Sequence, residues 1–258
     1  MLNGANFIWT TPVWSLFVWY DKYMKLLLTS NGLSNDSIAN ALEELVGKPR
    51  REIKIAFVPT AAFPEDNDEH ESRDWLVNDL YRINKFADFI DIVSLADLSK
   101  ESIIERLEYV DVIFVGGGNT FYLSYWMEKT GLFKELPKLL ETRVYAGISA
   151  GSMIATQSIR TASQAINNPD KYYDNLYDEF GPKGRSAGVT AKLVDFALRP
   201  HFNSFLFPNV SGDFLAAIAE DIKIPLYAID DNTAIKVVGD NIEIVSEGEW
   251  KLFNERSS

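Results

Sequence analysis

A serine lies between two glycines in Gly147-Ile148-Ser149-Ala150-Gly151, where one apolar run ends and a second begins. This is the G-x-S-x-G spacing of a strand-to-helix turn that holds a serine hydroxyl out at the tip of a sheet. A turn so sharp brings the backbone close to itself, which is why glycines stand on either side. A serine hydroxyl attacks a carbonyl only if a base takes its proton and hydrogen-bond donors hold the developing oxyanion. The chain has no cysteine and two histidines, His70 and His201, so covalent catalysis falls to serine, threonine or a carboxylate. The search for a base narrows to the same two histidines. His70 is embedded in the acidic run "EDNDEHES" and reads as solvated surface, whereas His201 follows Pro200 in a short apolar setting and is the expected base.

The oxyanion donors expected from this arrangement are the backbone N–H of Ala150, at the start of the helix after the nucleophile, and an N–H from Gly117 or Gly118. The Gly116-Gly117-Gly118 run lets the backbone approach a substrate closely. Taken alone it is a turn signal, because neither the Lys-Ser/Thr of a phosphate loop nor dinucleotide-binding spacing follows it. This chemistry requires no metal and no organic cofactor.

The elements that must position these groups alternate short apolar runs with helical patterns, the signature of a mostly parallel open α/β sheet with helices on both faces. Strands are expected at Lys25 to Thr29, Ile53 to Pro59, Phe89 to Leu95, Val110 to Gly117 and Val144 to Ser149. Helices are expected at Asp36 to Val46, Ser72 to Phe86, Lys100 to Leu107, Thr120 to Thr130 and Phe133 to Glu141. In the second helix Trp75, Leu76, Leu80, Ile83 and Asn84 form the expected core face. After Ser149 the rhythm breaks, and Ser158 to Gly188 reads as a surface excursion near a functional site. Regular structure resumes at Ala191 to Pro200, with a helix at Asp213 to Asp221 and strands at Pro225 to Ile229, Ala234 to Val238 and Ile242 to Val245. A turn at Asp240-Asn241 makes the last strands antiparallel. The segments after Phe114, Tyr145 and Leu198 all follow carboxyl ends of strands, so they are expected on one edge of one sheet, where ligands collect.

Composition fits this reading. The 258 residues are 47% apolar, enough for a sizeable core, and a net charge of −12 without a long basic cluster excludes a nucleic-acid footprint. Residues 1–23 are aromatic and apolar, broken by Pro12, and lack both the basic start and the small-residue cleavage site of a secretory signal. They are too short and too interrupted for a membrane span. The expected location is the cytoplasm, with no membrane partner. The expectation is an N-terminal extension ahead of one α/β domain over residues 24–258; as an apolar arm it would instead pack on a second subunit in a homodimer.

In order and separation, "VGGGNTFYL", "GISAGSMI", "SIRT" and "PHFN" resemble the peptidase E family of serine peptidases, which includes alpha-aspartyl dipeptidases and is related to cyanophycinase. The resemblance spans about Met24 to Val245. It implies a fold similar to class I glutamine amidotransferases, flavodoxin-like, with Ser149 as nucleophile, His201 as base and a small peptide as substrate. The triple-glycine loop with its neighbour Asn119, together with Ala150, is implied to hold the oxyanion and substrate.

Two departures stand out. Where the aspartyl dipeptidases have the acid that orients the histidine, this chain has Gln164, which can hydrogen-bond an imidazole but cannot offset imidazolium charge. Asp231 in "YAIDDNTAI" is the first substitute to consider, with Asp170 and Asp195 after it. The arginine that follows the histidine in those enzymes and binds the substrate aspartate is missing, which removes the ground for an N-terminal aspartate preference. Arg160 and Arg199 are the cations available to hold a carboxylate, unless each pairs with a nearby acid. These departures support a rival reading, a weak or inactive member of the family that binds a small ligand or a protein partner. A general esterase of the α/β-hydrolase type fits less well, since that fold places its histidine near the end of a longer chain.

Overall fold

Apolar runs of four or five residues make the middle of the sheet: "LLLT" in the first strand, "IAFV", "VIFV" and "VYAGI" are buried throughout. Such continuous burial is what a parallel strand needs when helices cover both of its faces. The computed structural model describes residues 24–64, 72–162 and 189–255. Its elements in chain order are β1 (Lys25–Thr29), α1 (Asp36–Val46), β2 (Lys54–Val58), α2 (Asp74–Phe86), β3 (Phe89–Ile92), α3 (Lys100–Glu108), β4 (Val112–Val115), α4 (Thr120–Lys129), α5 (Leu132–Leu139), β5 (Val144–Ile148) and α6 (Ala150–Met153). They continue with β6 (Ala197–Arg199), α7 (Gly212–Ile222), β7 (Leu226–Ile229), β8 (Thr233–Val238), β9 (Asn241–Ser246) and β10 (Trp250–Phe253).

The main sheet has seven strands in the order β3-β2-β4-β5-β1-β8-β9. The strands from β3 to β1 are parallel, whereas β8 runs antiparallel to both β1 and β9. Strand period divides the core: Leu27, Phe57, Phe114 and Ala146 face Ile38, Leu42 and Leu45 of α1 and Ile83 and Phe86 of α2. Leu26, Leu28, Ile113, Val115 and Tyr145 pack on the opposite face against α3, α4 and α5. Helix starts are set by side chains that accept otherwise unpaired N–H groups: Asn35 from Ile38, Ser99 from Ser102, Asn119 from Tyr122 and Ser211 from Phe214.

The structure departs from the sequence expectations at four places. β6 is not on the main sheet; it pairs with β7 in a separate three-stranded sheet, β10-β7-β6, packed on α7 around Phe202, Phe214 and Leu215. Within Ala191 to Pro200 only Ala197–Arg199 is strand. β10 lies beyond the last expected strand and pairs antiparallel with β7. The β8–β9 turn is Gly239-Asp240, with Gly239 at φ 56, one residue earlier than expected. On α2 the inward face carries Asp79, Ile83 and Phe86, with Leu76 and Leu80 half-buried, while Asn84 is exposed. Among the described residues no helix is long and apolar enough to cross a membrane.

Candidate active site

Ser149 joins β5 to α6 with φ 47 and ψ −107, a backbone conformation that L-residues rarely adopt. Its surroundings fix it there. The Ser149 N–H donates to Thr29 O at 3.1 Å, Ser152 Oγ donates to the same carbonyl at 2.7 Å, and Thr29 Oγ1 donates to Gly147 O at 2.7 Å. A side chain at Gly147 would lie 2.6 Å from Ser152 N, and one at Gly151 2.1 Å from Val115 O. The glycines are thus demanded by close packing of the turn on itself and on β4. Tyr145, fully buried beneath, donates its hydroxyl to Gly151 O at 2.6 Å, and burial raises its pKa so that it stays protonated.

His201 reaches this serine from the smaller sheet, on the loop that follows β6. Its Nε2 lies 3.0 Å from Ser149 Oγ and its Nδ1 2.7 Å from Asp231 Oδ1. Asp231 follows β7, and the neighbouring Asp230 frees it for this contact by taking over the local turn: Asp230 Oδ1 accepts from Asn232 N and Thr233 Oγ1. Burial pushes the Asp231 carboxyl up, but hydrogen bonds and charge from His201 and hydroxyl bonds from Ser30 and Ser204 outweigh it, so its pKa lies below the ordinary value.

Ser30, at the end of β1, completes the set and carried no motif in the sequence. Its Oγ accepts the His201 backbone N–H at 2.9 Å, donates to Asp231 Oδ1 at 2.7 Å and stands 3.3 Å from His201 Nδ1. Nothing in the sequence singles it out beyond a place after an apolar run, which many serines share. Proton inventory fixes the tautomer. The Ser30 proton goes to Asp231, and the carboxylate only accepts, so His201 Nδ1 carries the proton and Nε2 offers its lone pair to Ser149. Phe207 stacks on the imidazole, with ring centroids 4.4 Å apart and planes 15° from parallel.

The triple-glycine loop runs beside the serine: a side chain at Gly117 would touch Ser149 Cβ at 3.4 Å. Gly118 takes φ +123, and a side chain there would strike Ala61 O at 2.3 Å. Among the described residues the N–H groups of Gly117 and Gly118 donate to no other group, and the Ala150 N–H opens α6, where it has no intrahelical acceptor. Asn119 is buried, its Oδ1 caps α4, and its N–H donates to Ala61 O at 2.8 Å.

The two arginines are held by other groups. Arg160 pairs with Asp221 of α7, and Arg199 is buried with Nη1 donating to Thr161 O at 2.7 Å. Asp195 is exposed on the stretch before β6 and lines a separate cavity of about 560 Å³ with Met24, Tyr227 and Val237. Gln164, Asp170, His70 and residues 1–23 lie outside the described residues. What stands together is a hydroxyl, an imidazole and a carboxylate in line, with unpaired backbone donors beside the hydroxyl. That arrangement can perform acyl transfer.

Residues 26–245 match the family described as Peptidase family S51. The chain is 30% identical over 187 residues to an uncharacterized peptidase of Pasteurella multocida, covering 71% of this chain and 80% of that one. It is 26% identical over 245 residues to Peptidase E of Nostoc sp., covering 89% and 88% of the two chains. Among solved structures, one from Listeria monocytogenes EGD-e superposes with a TM-score of 0.67 at 21% identity, over 88% of this chain and all (100%) of that one. A peptidase from an acI-B1 Actinobacterium gives 0.58 at 18% identity, over 88% and 89%. These two likenesses establish the fold.

Proposed function

The chain belongs to peptidase family S51, and from that premise we propose that it is a serine peptidase that hydrolyses short peptides or related small amides through an acyl-enzyme, with Ser149 as nucleophile and His201 as base. The observation that carries this reading is the unbroken line from Ser149 Oγ through His201 to Asp231, at 3.0 and 2.7 Å.

In the first half-reaction His201 Nε2 takes the Ser149 proton as Oγ bonds to the substrate carbonyl carbon. The carbonyl oxygen becomes an oxyanion, held by the N–H groups of Ala150 and Gly117. Asp231 offsets the imidazolium charge and keeps Nδ1 protonated. The intermediate collapses when the C–N bond breaks and His201 gives its proton to the departing nitrogen. In the second half water replaces the amine: His201 takes a water proton, hydroxide oxygen bonds to the acyl carbon, and Ser149 leaves with the proton restored. Each oxyanion donor is worth about 3 kcal/mol.

The rival reading, a weak or inactive family member that binds a small ligand or a protein partner, draws on Gln164, the missing arginine and the apolar N-terminal arm. Against the first of these stands Asp231, whose carboxylate meets His201 from the loop after β7. The test is hydrolysis of a dipeptide and aminoacyl-amide panel by wild type and Ser149→Ala side by side. Turnover lost in the variant supports the reading; equal rates overturn it.

A further inference from the structure

The loop that carries His201 goes on to Phe205, Leu206 and Phe207. Phe207 is stacked on the imidazole, while Phe205 and Leu206 are 94% and 77% exposed. Scattered apolar side chains on a surface signify little. Here two neighbours are tied to the proposed base through the next residue, in a chain with ample core elsewhere. A further apolar side chain, Phe63, is 47% exposed. It follows the turn Thr60–Ala62, whose Ala61 carbonyl receives the N–H of Asn119 from the triple-glycine loop. Strand order sets the sides: Phe63 follows β2, Ser149 follows β5 and Ser30, in contact with His201, follows β1, so Ser149 lies between the two apolar groups.

Charge points the same way. Arg160 is paired with Asp221, Arg199 donates to Thr161 O, and Arg73 donates to the carbonyls of Ala62 and Phe63. On the His201 side stand Asp231 and Glu249, the latter accepting from Asn203 Nδ2 at 3.1 Å. An acidic substrate side chain would meet repulsion there.

Chemistry assigns the side of the scissile bond. His201 must hand its proton to the departing nitrogen, so the leaving residue lies over His201 and hence beside Phe205 to Phe207. Resting on the serine-peptidase reading, we propose that the site takes peptides whose leaving residue has an apolar side chain, received against Phe205 and Leu206. Burying such a side chain against two exposed apolar groups lowers the barrier relative to a glycine leaving residue.

The experiment measures kcat/KM for Ala-Leu, Ala-Phe, Ala-Gly and Ala-Asp, and for the same leaving residues behind Asp. It compares wild type, the double variant Phe205→Ser/Leu206→Ser, and Val77→Ser as an exposed apolar control on α2. Fluorophosphonate labelling of Ser149 is read in parallel. The expected result is a preference of about tenfold or more for Leu and Phe over Gly in wild type and Val77→Ser, falling close to one in the double variant. Turnover and labelling without that preference, or a preference that survives the double substitution, overturns the proposal and leaves the peptidase reading standing. So does a double variant altered only in oligomeric mass by light scattering, which would make the patch a subunit contact. Neither turnover nor labelling in wild type defeats the peptidase reading and this proposal with it.

Discussion

His201 Nδ1 lies 2.7 Å from Asp231 Oδ1, a contact between residues on two different loops of the smaller sheet and its junction with the larger one. An asparagine at position 231 can turn its amide nitrogen toward Nδ1 and force the proton onto Nε2, where it faces Ser149 instead of accepting from it. Asp231→Asn is expected to lower kcat by roughly 10⁴-fold with little change in KM. Steady-state kinetics on any accepted dipeptide checks this, and a variant within tenfold of wild type would remove Asp231 from the mechanism.

Ser30 holds both ends of that contact, accepting from the His201 main chain and donating to Asp231. Loss of a hydrogen bond to a charged group costs about 1.5–3 kcal/mol. Ser30→Ala is therefore expected to lower kcat by about 10- to 100-fold, and Ser30→Thr, which keeps the hydroxyl, to recover most of it. Equal losses in both variants would mean that the buried volume matters and the hydroxyl does not.

Asp79 faces the sheet from α2, buried beside the Gly32 turn, and burial pushes its pKa up from 3.8 to about 7 despite the nearby charge of Arg82. The folded state therefore keeps a proton that the unfolded chain releases near its ordinary value. Between about pH 4 and 7 the folded state binds more protons, so this group's contribution to stability falls as pH rises and levels off above 7. Asp79→Asn is expected to be more stable than wild type at pH 8 by an amount on the order of a few kcal/mol, with the gap closing toward pH 4. Urea unfolding of both proteins at a series of pH values tests it; a pH-independent gap would contradict the assignment.

A side chain at Gly151 would come within 2.1 Å of the Val115 carbonyl, while at Gly47 nothing lies within 4 Å although φ is +72. The two glycines thus separate close approach from backbone strain. Gly47→Ala is expected to cost about 1 kcal/mol through its left-handed backbone alone. Gly151→Ala must move backbone, and is expected to cost about 3 kcal/mol or more and to abolish labelling of Ser149. Thermal unfolding and probe labelling measure the two effects.

How much of this was legible beforehand follows from how local each signal is. The central strands are legible because each is a short continuous apolar run, and the helix Asp36–Val46 because it carries its own periodicity and caps. The serine turn was readable because glycine spacing is dictated by contacts within a few residues. Placement of β6 in a second sheet was not, since a three-residue strand records nothing about its partner. Asp231 could be named only as one of several acids. Its neighbour Asp230 has the same side chain, and only the fold shows which of them turns the chain and which meets His201. Ser30 was invisible, as a serine after an apolar strand is common and its partners lie 171 and 201 positions away.

The central claim is that Ser149 is an activated nucleophile, and intact-mass analysis after fluorophosphonate treatment tests it most directly. Wild type is expected to gain the mass of one phosphonyl group, which proteolytic mapping places on Ser149, whereas Ser149→Ala and His201→Ala gain none. No adduct on wild type, or an adduct on another residue that persists in Ser149→Ala, would contradict it.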